Sequence, residues 1–221
     1  MRKSGRVRWI EPTPTGDIKP YRPGSPLRLP NKRTLCVIPA PPVRQGHDFS
    51  CGLGSGQSLL ALFGKPSLRE DQLIKRTKTS KVYGVHEREL KKLLRQNGLD
   101  VHMKHRMSLA ELAHYLTQGV PVVVGYQAWA SKPSQWNARA MKGFDWRREN
   151  DSGHYSVAIG IDRKNIYFMD PAMDLGKRGY IPIAEFMKRW HWETGQHFGM
   201  VVSSDAPAKN RVFCEQVDRI Y

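Results

Sequence analysis

Cys51 has the sequence setting in this 221-residue chain that best suits a nucleophile. It begins the segment CGLGSGQSLLALFG, whose small residues followed by leucines predict a helix over residues 51–63, closed by Gly64. The amide groups and the dipole at the start of a helix stabilise a thiolate, which is the attacking species in covalent cysteine catalysis. A single cysteine on an apolar helix is more often a buried structural residue, so this interpretation depends on the partners of Cys51.

His154 and Asp170 are the candidate partners. His154 opens the segment HYSVAIGID, Asp170 lies near the end of NIYFMDP, and both segments predict strands joined by a turn at residues 162–164. If these strands pair as antiparallel neighbours, His154 and Asp170 lie at the same end of the sheet. His154 is then expected to pair with the thiolate and to protonate a leaving group, while Asp170 accepts the ring N–H and fixes the tautomer.

Six further positions are candidates for the site. Gln45 lies six residues before Cys51, and its side-chain amide is a candidate donor to an oxyanion. The polar segment 130–152 contains tryptophans that predict either a lid or a substrate wall, although core packing explains one of them equally well. The candidate substrate-binding residues are Gly52, Gly153, Trp136, Trp146 and His47, and for the last of these a role within the loop is the default.

The elements that must position these residues follow an α+β order, with helices first and antiparallel strands afterwards. The patterns Ser67-x-x-Glu70 and Ser108-x-x-Glu111 predict the starts of two helices, and an amphipathic helix ended by Gly98 lies between them. Further strands are predicted for TLCVIP, LDVHMKHR, VPVVVGYQAWA and GMVVSS, and a short helix for IPIAEFMKRWHW.

Three regions are predicted along the chain. Nine of the 15 prolines lie before residue 43, and residues 1–32 predict a basic, extended arm, anchored by Trp9, Ile10 and Tyr21. Residues 33–205 are the predicted catalytic domain, and residues 206–221 are the predicted C-terminal tail.

Two segments, RQGHDFSCGLGSGQSLLALFG and GHYSVAIGIDRKNIYFMDP, resemble the bacteriocin-processing peptidases, papain-like cysteine peptidases that cut leader peptides after a double glycine. The shared pattern is a Gln, a Cys-Gly six residues later that starts a helix, a Gly-His-Tyr that opens a strand and an Asp-Pro that ends the next. The resemblance covers about residues 43–190. It implies a papain-like α+β fold with Cys51 as nucleophile, His154 as base, Asp170 as orienting acid and Gln45 as oxyanion donor.

The resulting prediction is a cysteine peptidase that hydrolyses a peptide bond of a peptide or protein substrate through a thioester. A helical lobe would pack on an antiparallel sheet, with the active site in the cleft between them. This chemistry needs no metal and no organic cofactor. Two alternatives stay open: a transglutaminase-like acyltransferase that passes the same thioester to an amine, and a non-catalytic module that binds peptide or nucleic acid.

Composition limits the remaining choices. The formal net charge of +16 permits contacts with acidic proteins, nucleic acid or anionic membranes. Three cysteines without a CxxC pair argue against a disulfide scaffold and a zinc ribbon, and suit a reducing compartment. Because no segment has the apolar length of a membrane span or a secretory signal, we expect a cytoplasmic protein without a transmembrane segment.

Overall fold

Five helices and eleven strands form the part of the chain that the computed structural model describes, which is residues 6–14, 18–24, 34–129, 137, 139, 141, 143–192, 195–205 and 216–221. The helices are α1 (Cys51–Leu62), α2 (Glu70–Arg76), α3 (Glu87–Gln96), α4 (Leu109–Thr117) and α5 (Ile183–Arg189). The strands are β1 (Arg6–Trp9), β2 (Thr34–Val37), β3 (Asp100–Lys104), β4 (Val122–Gln127), β5 (Gly153–Ile161), β6 (Asn165–Met169), β7 (Lys177–Pro182), β8 (His191–Trp192), β9 (Gly195–Gln196), β10 (Gly199–Ser203) and β11 (Gln216–Arg219).

Seven of these strands form one sheet in the order β11-β7-β6-β5-β4-β10-β3. Its neighbours are antiparallel, except that β11 runs parallel to β7. Two small sheets complete the fold: β1 pairs with β2 in parallel, and β8 pairs with β9 antiparallel. Helices packed on a mostly antiparallel sheet confirm the predicted α+β, papain-like fold.

The pairing of β5 with β6 is the one on which the site depends. The two strands are antiparallel neighbours, as predicted, with Val157 opposite Met169 and Ile161 opposite Ile166. The turn between them is closed by Asp162, whose Oδ1 accepts hydrogen bonds from the backbone N–H of Lys164 at 2.6 Å and of Asn165 at 2.8 Å. An Asp that binds the backbone two and three residues later is typical of a tight turn.

Helix α1 is buried around most of its circumference. Leu53, Leu59 and Leu60 are fully buried, and the helix packs against β5 and α3. It ends where the sequence predicts, because Gly64 follows in a left-handed conformation with φ +62°. The run of small and apolar residues in this helix, without charges, follows from that central position.

The second helix starts two residues later than predicted. Arg69 is its N-cap, and the side chain of Gln72 accepts a hydrogen bond from the backbone N–H of Arg69 at 3.1 Å. The predicted capping role of Ser67 is wrong, because Arg69 occupies the N-cap position and the Ser67 hydroxyl donates to the carbonyl of Leu68. Ser108 does cap α4, because its hydroxyl accepts from the N–H of Glu111 at 3.1 Å.

The segment IPIAEFMKRWHW is only partly helical. Ile181 and Pro182 end β7, the helix α5 spans Ile183–Arg189, and His191 and Trp192 form β8. Strand β7 was not predicted, because KRGYIP lacks a clear apolar alternation; β1, β8, β9 and β11 were not predicted either. Strand β11 places part of the predicted C-terminal tail on the edge of the main sheet.

The predicted anchors of the N-terminal arm all contact the rest of the protein. The Trp9 side chain packs against the core and faces the guanidinium of Arg178 at 5.9 Å. The backbone N–H of Ile10 donates to the carbonyl of Val37 at 2.9 Å. The ring of Tyr21 meets His114 edge-on, with 5.7 Å between the ring centroids.

Candidate active site

Cys51 is the first residue of α1, at the positive end of the helix dipole. Its side chain is nearly buried, with 7% of the residue exposed, and its Sγ accepts a hydrogen bond from the backbone N–H of Tyr155 at 3.4 Å. The preceding loop is closed by Ser50, whose Oγ donates to the carbonyl of His47 at 2.7 Å. The sulfur is therefore held between the start of a helix and the start of β5.

His154 and Asp170 lie beside this sulfur. His154 is the second residue of β5, Asp170 directly follows β6, and the antiparallel pairing brings both to the same end of the sheet. The Nε2 of His154 lies 3.0 Å from Oδ1 of Asp170, and both side chains are buried. Cys51 lies close enough to His154 to raise the pKa of the ring, and the Asp170 contact leaves Nδ1 as the ring nitrogen that is not engaged by the carboxylate.

The environment of His154 favours its protonated form. Burial alone would lower the pKa of the imidazole, but the charges of Asp170 and Cys51 and its hydrogen bonds with both raise that pKa to about 10. Opposite charges at hydrogen-bond distance in a poorly solvated site outweigh the cost of desolvation here. At neutral pH the ring is consequently an imidazolium that can supply a proton.

Asp170 is the centre of a hydrogen-bond network. Besides the His154 contact, its Oδ1 accepts from the backbone N–H of Ala172 at 2.8 Å, and its Oδ2 accepts from the hydroxyls of Ser156 at 3.0 Å and Tyr126 at 3.2 Å. Burial raises the pKa of this carboxyl, but the charge of His154 and these hydrogen bonds bring it below its usual value. Asp170 is thus a fixed, ionised acceptor.

Sequence reasoning missed Tyr126 and Ser156. Ser156 lies two residues after His154 on one strand, so its position on the same face was a readable signal. Tyr126 lies opposite His154 in the pairing of β4 with β5, which only the register reveals. The hydroxyl of the fully buried Tyr126 also lies 3.0 Å from Ser156 Oγ, and burial together with the Asp170 charge raises the pKa of this tyrosine.

Glycine is required where α1 meets the end of β6. A Cβ on Gly54 would lie 2.8 Å from the Cβ of Pro171, the residue after Asp170. The backbone N–H of Gln45 donates to the carbonyl of the same proline at 2.8 Å, and Ser55 Oγ donates to the carbonyl of Tyr155 at 3.2 Å. These contacts fix the distance between the helix that carries Cys51 and the strand ends that carry its partners.

Gln45 lies in the loop before α1, with its side-chain amide turned towards that loop. Its Nε2 donates to the carbonyl of His47 at 2.8 Å and, less closely, to that of Asp48 at 3.3 Å. Its Oε1 is buried and has no hydrogen-bond partner within the described part of the chain. The predicted oxyanion donor is therefore near the first turn of α1, with one short and one long hydrogen bond to the loop.

A cavity of about 260 Å³ opens beside Cys51. Its walls come from the loop before α1, a turn after α2, the end of β4 and the start of β5. The lining residues are Asp48, Phe49, Cys51, Val82, Tyr83, Gly84, Gln127, Asn150, Asp151, Gly153 and Tyr155.

Of the predicted substrate-binding residues that the structure describes, Gly153 lines this cavity, whereas Gly52, His47 and Trp146 do not. Gly52 is buried within α1, where a Cβ would collide with the side chain of Val85. His47 is exposed and stacks on Phe49, with 5.0 Å between the ring centroids.

The two candidate tryptophans have different outcomes. The structure places Trp146 in a separate cluster with Met141, 2% exposed, with the guanidinium of Arg189 stacked on its ring at 3.6 Å from the centroid. This position differs from the predicted substrate wall, because the apolar ring is buried under that cation. Trp136 lies outside the described residues.

The family model described as the Peptidase_C39-like family matches residues 37–198, which include Cys51, His154 and Asp170. The chain belongs to this family. The predicted resemblance is thereby confirmed, and membership supports a cysteine peptidase as the general class of the protein. None of the curated protein sequences matches the chain significantly.

Three solved structures of similar fold extend this assignment to the C39-like architecture. A C39-like peptidase from Bacillus anthracis has a TM-score of 0.54 and 18% identity, and the match covers 76% of this chain and 96% of that one. The peptidase domain of Streptococcus ComA, a bifunctional ABC transporter of a quorum-sensing pathway, has a TM-score of 0.52 and 16% identity, with 75% and 98% covered. A double-glycine-motif protease from an AMS/PCAT transporter, in complex with its leader peptide, has a TM-score of 0.50 and 18% identity, with 76% and 91% covered.

None of the helices in the described part of this chain combines the length and the apolarity that crossing a bilayer requires.

Proposed function

We propose that the protein is a cysteine peptidase in which Cys51, His154 and Asp170 act together. The observation that carries this proposal is that Cys51 Sγ accepts from the backbone N–H of Tyr155, the neighbour of His154, while the buried His154 ring lies 3.0 Å from Asp170 through Nε2. A nucleophile, a base and an orienting group placed side by side is the arrangement that covalent acyl transfer needs.

The reaction begins with attack of the Cys51 sulfur on the carbonyl carbon of a peptide bond. The His154 imidazolium gives its proton to the nitrogen of the departing amine, the C–N bond breaks, and a thioester remains on Cys51. His154, now neutral, takes a proton from water, whose oxygen attacks the thioester and releases the acid. Sulfur and imidazole return to their starting forms, so each turnover consumes one water molecule and one peptide bond.

Two donors are candidates for the negative oxygen that forms during attack. One is the backbone N–H of Cys51, which points out of the start of α1. The other is the side-chain amide of Gln45, if its long contact with the Asp48 carbonyl is exchanged for the oxyanion. Only the weaker of its two hydrogen bonds has to be given up.

Tyr126, Ser156 and the N–H of Ala172 serve the reaction through Asp170. The two hydroxyls donate to Oδ2, which the imidazole does not contact, and the Ala172 N–H shares Oδ1 with the imidazole. Together these bonds keep Asp170 ionised and in one orientation. The orientation of the His154 ring follows from that of its acceptor.

A peptide as substrate class is supported by the family assignment and by the leader peptide bound to one of the structures of similar fold. Hydrolysis and transfer to an amine both pass through the same thioester on Cys51. An experiment that offers both acceptors therefore distinguishes them.

The test uses E-64, an epoxide inhibitor of thiol peptidases, together with a peptide library prepared from a digested proteome. We expect E-64 to modify Cys51 at neutral pH and to abolish cleavage of library peptides, and Cys51→Ala to be inactive. Cys36→Ala, which removes a partly exposed cysteine on β2, is the matched control and should retain activity. Adding a primary amine to the reaction separates hydrolysis from transfer. Cleavage that survives in Cys51→Ala would overturn the proposal.

A further inference from the structure

The cavity beside Cys51 has a charge opposite to that of the protein as a whole. The chain carries 36 Lys and Arg against 20 Asp and Glu, for a formal net charge of +16. Among the described residues that line the cavity there is no Lys, Arg or His, whereas two are aspartates, Asp48 and Asp151. A basic protein thus presents two acidic residues at the cavity that contains its candidate nucleophile.

Neither aspartate is neutralised within the described part of the chain. Both residues are exposed, and neither forms an ion pair with a described cation, whereas Asp71, Asp145, Asp174 and Asp218 do. Their backbones are nevertheless held in place. The carbonyl of Asp48 accepts from Gln45 at 3.3 Å, and the N–H of Asp151 donates to Glu149 Oε1 at 3.0 Å. Both carboxylates are therefore exposed at the cavity and available to a ligand.

The same cavity also has an apolar wall, whose two side chains are exposed and do not stabilise the fold by burial. Val82 and Tyr83 are 79% and 74% exposed, so neither side chain contributes to the core. The turn that carries them is closed by two backbone hydrogen bonds of 3.0 Å between Ser80 and Gly84. Gly84, in a left-handed conformation, lies so close to the carbonyl of Phe49 that a Cβ would be 3.0 Å from that oxygen. An anchored turn thus holds a valine and a tyrosine at the edge of the cavity.

Carboxylates next to an exposed aromatic ring and an aliphatic side chain suit a lysine or an arginine. The stems of these side chains pack on apolar surface, and their charged ends pair with carboxylates or stack on an aromatic face. An acidic side chain would instead meet two like charges.

We propose that this cavity selects peptides with a lysine or an arginine close to the scissile bond. Asp48 and Asp151 bind the cationic end, and Val82 and Tyr83 pack against the stem. The inference rests on the proposed function, because it names the substrate class of that same site. Since the net charge of the protein repels cations at a distance, the selectivity must arise locally, within the cavity.

The first test measures the charge preference of Cys51 without requiring catalysis. Cys51 is modified with 2-aminoethyl methanethiosulfonate, a cation, and with 2-sulfonatoethyl methanethiosulfonate, an anion, with neutral methyl methanethiosulfonate as reference. Peptide mapping separates Cys51 from the other cysteines. We expect the ratio of cation rate to anion rate to fall about tenfold in the double variant Asp48→Asn/Asp151→Asn, because focused fields in clefts change encounter rates by about tenfold or more.

The matched control is Asp100→Asn/Asp205→Asn. It removes two exposed carboxylates that do not line the cavity and changes the net charge by the same amount. The control should keep the wild-type ratio within about twofold. An unchanged ratio in the cavity variant, or an equal fall in the control, would overturn the inference.

The second test reads selectivity in cleavage. A proteome digested with Glu-C protease gives peptides with internal lysines and arginines. We expect cleavage sites to be enriched in these residues near the scissile bond, and the enrichment to disappear in Asp48→Asn/Asp151→Asn. Cleavage without enrichment would contradict the inference while leaving the peptidase intact. No cleavage, with the reagent ratio still shifted by the cavity variant, would instead contradict the proposed function and leave the charge preference of the cavity established.

Discussion

At the scale of single residues, the protonation of the His154 imidazole decides how the proposed mechanism responds to pH. Asp170 and Cys51 raise the pKa of this ring to about 10, against the effect of burial. The ring is needed as an imidazolium to protonate the leaving amine. Peptide hydrolysis should therefore persist into the alkaline range and decline only as the pH approaches that pKa.

Replacing Asp170 with asparagine should move this alkaline limit to lower pH. The substitution removes the charge that raises the pKa of His154 and leaves the burial that lowers it. We expect kcat to fall by at least about a hundredfold, since a triad carboxylate typically matters by that much or more. The measurement is the pH profile of kcat/KM.

Asp162→Asn is the matched control for this change. Asp162 is also buried, but it closes the β5–β6 turn at the far end of the same two strands. It should alter stability without moving the alkaline limit. An alkaline limit that moves equally in both variants would mean that Asp170 has only a structural role.

Tyr126→Phe should lower kcat by about threefold to tenfold and leave KM unchanged. The variant removes the hydroxyl that donates to Asp170 Oδ2 at 3.2 Å while keeping the ring in the core. Asp170 then holds the imidazole less firmly, so the alkaline limit should also move, which loss of packing alone would not cause. Tyr167→Phe, which loses a comparable 2.8 Å bond to Asp162, is the control. Equal kinetics for Tyr126→Phe and wild type would show that the network does not support catalysis.

The sequence could indicate Cys51, His154 and Asp170 because each stands at the boundary of a recognisable element. It could not indicate Tyr126, because a hydroxyl on a buried strand gains its partner only when the neighbouring strand is in register. Nor could the sequence indicate whether Trp146 belongs to a substrate wall or packs in the interior. A tryptophan in a polar loop gives no sign of the buried Arg189 that covers it.

At the scale of elements, the contact between α1 and the end of β6 sets the geometry of the site. The helix α1 and the strands β5 and β6 were predictable, since a glycine-rich helix start and two apolar segments joined by a short turn are strong local patterns. The start of α2 was not, because Ser67 satisfies its hydroxyl on Leu68 rather than on the helix. Strand β7 also escaped prediction, since its pairing with β6 and β11 owes little to local sequence.

Gly54→Ala tests that contact. The added methyl group would lie 2.8 Å from Pro171 Cβ, which forces α1 away from the strand that carries Asp170. We expect kcat/KM to fall about tenfold or more, and the free energy of unfolding to fall by about 1–3 kcal/mol, offset in part by the better helix propensity of alanine. Enzyme kinetics and urea denaturation measure the two effects.

Gly56→Ala is the control within the same helix. Its methyl group would meet the ends of leucine side chains and no backbone, with Leu90 Cδ1 nearest at 3.0 Å. Activity should stay near that of the wild type. If Gly54→Ala retained full activity, the close approach of α1 to Pro171 would not be what positions Cys51.

At the scale of the whole molecule, the sheet extends into the segment that the sequence predicts to be a C-terminal tail. Ile220 is fully buried, and its backbone N–H donates to the carbonyl of Tyr180 at 3.1 Å. Its side chain fills the space above Gly179. Pairing between strands that are distant in sequence leaves no pattern in the local sequence. The domain limit at residue 205 stays a prediction.

Ile220→Ala should lower the free energy of unfolding by about 2–5 kcal/mol, because it leaves a cavity between β7 and the chain end. Leu175→Ala removes a similar side chain that is 66% exposed and should change stability little. Urea denaturation of both variants makes the comparison. A small effect for Ile220→Ala would show that residues 216–221 are dispensable for the stability of the fold.

The role of Cys51 as the nucleophile is tested most directly by comparing purified Cys51→Ala with the wild-type protein at equal concentration. The measurement is the rate of hydrolysis of a library peptide that the wild-type protein cleaves, and a thermal melt confirms that the variant is folded. If Cys51 is the nucleophile, the rate should fall at least about a thousandfold, to the level of the uncatalysed background. Hydrolysis by folded Cys51→Ala at a rate close to that of the wild type would contradict that role.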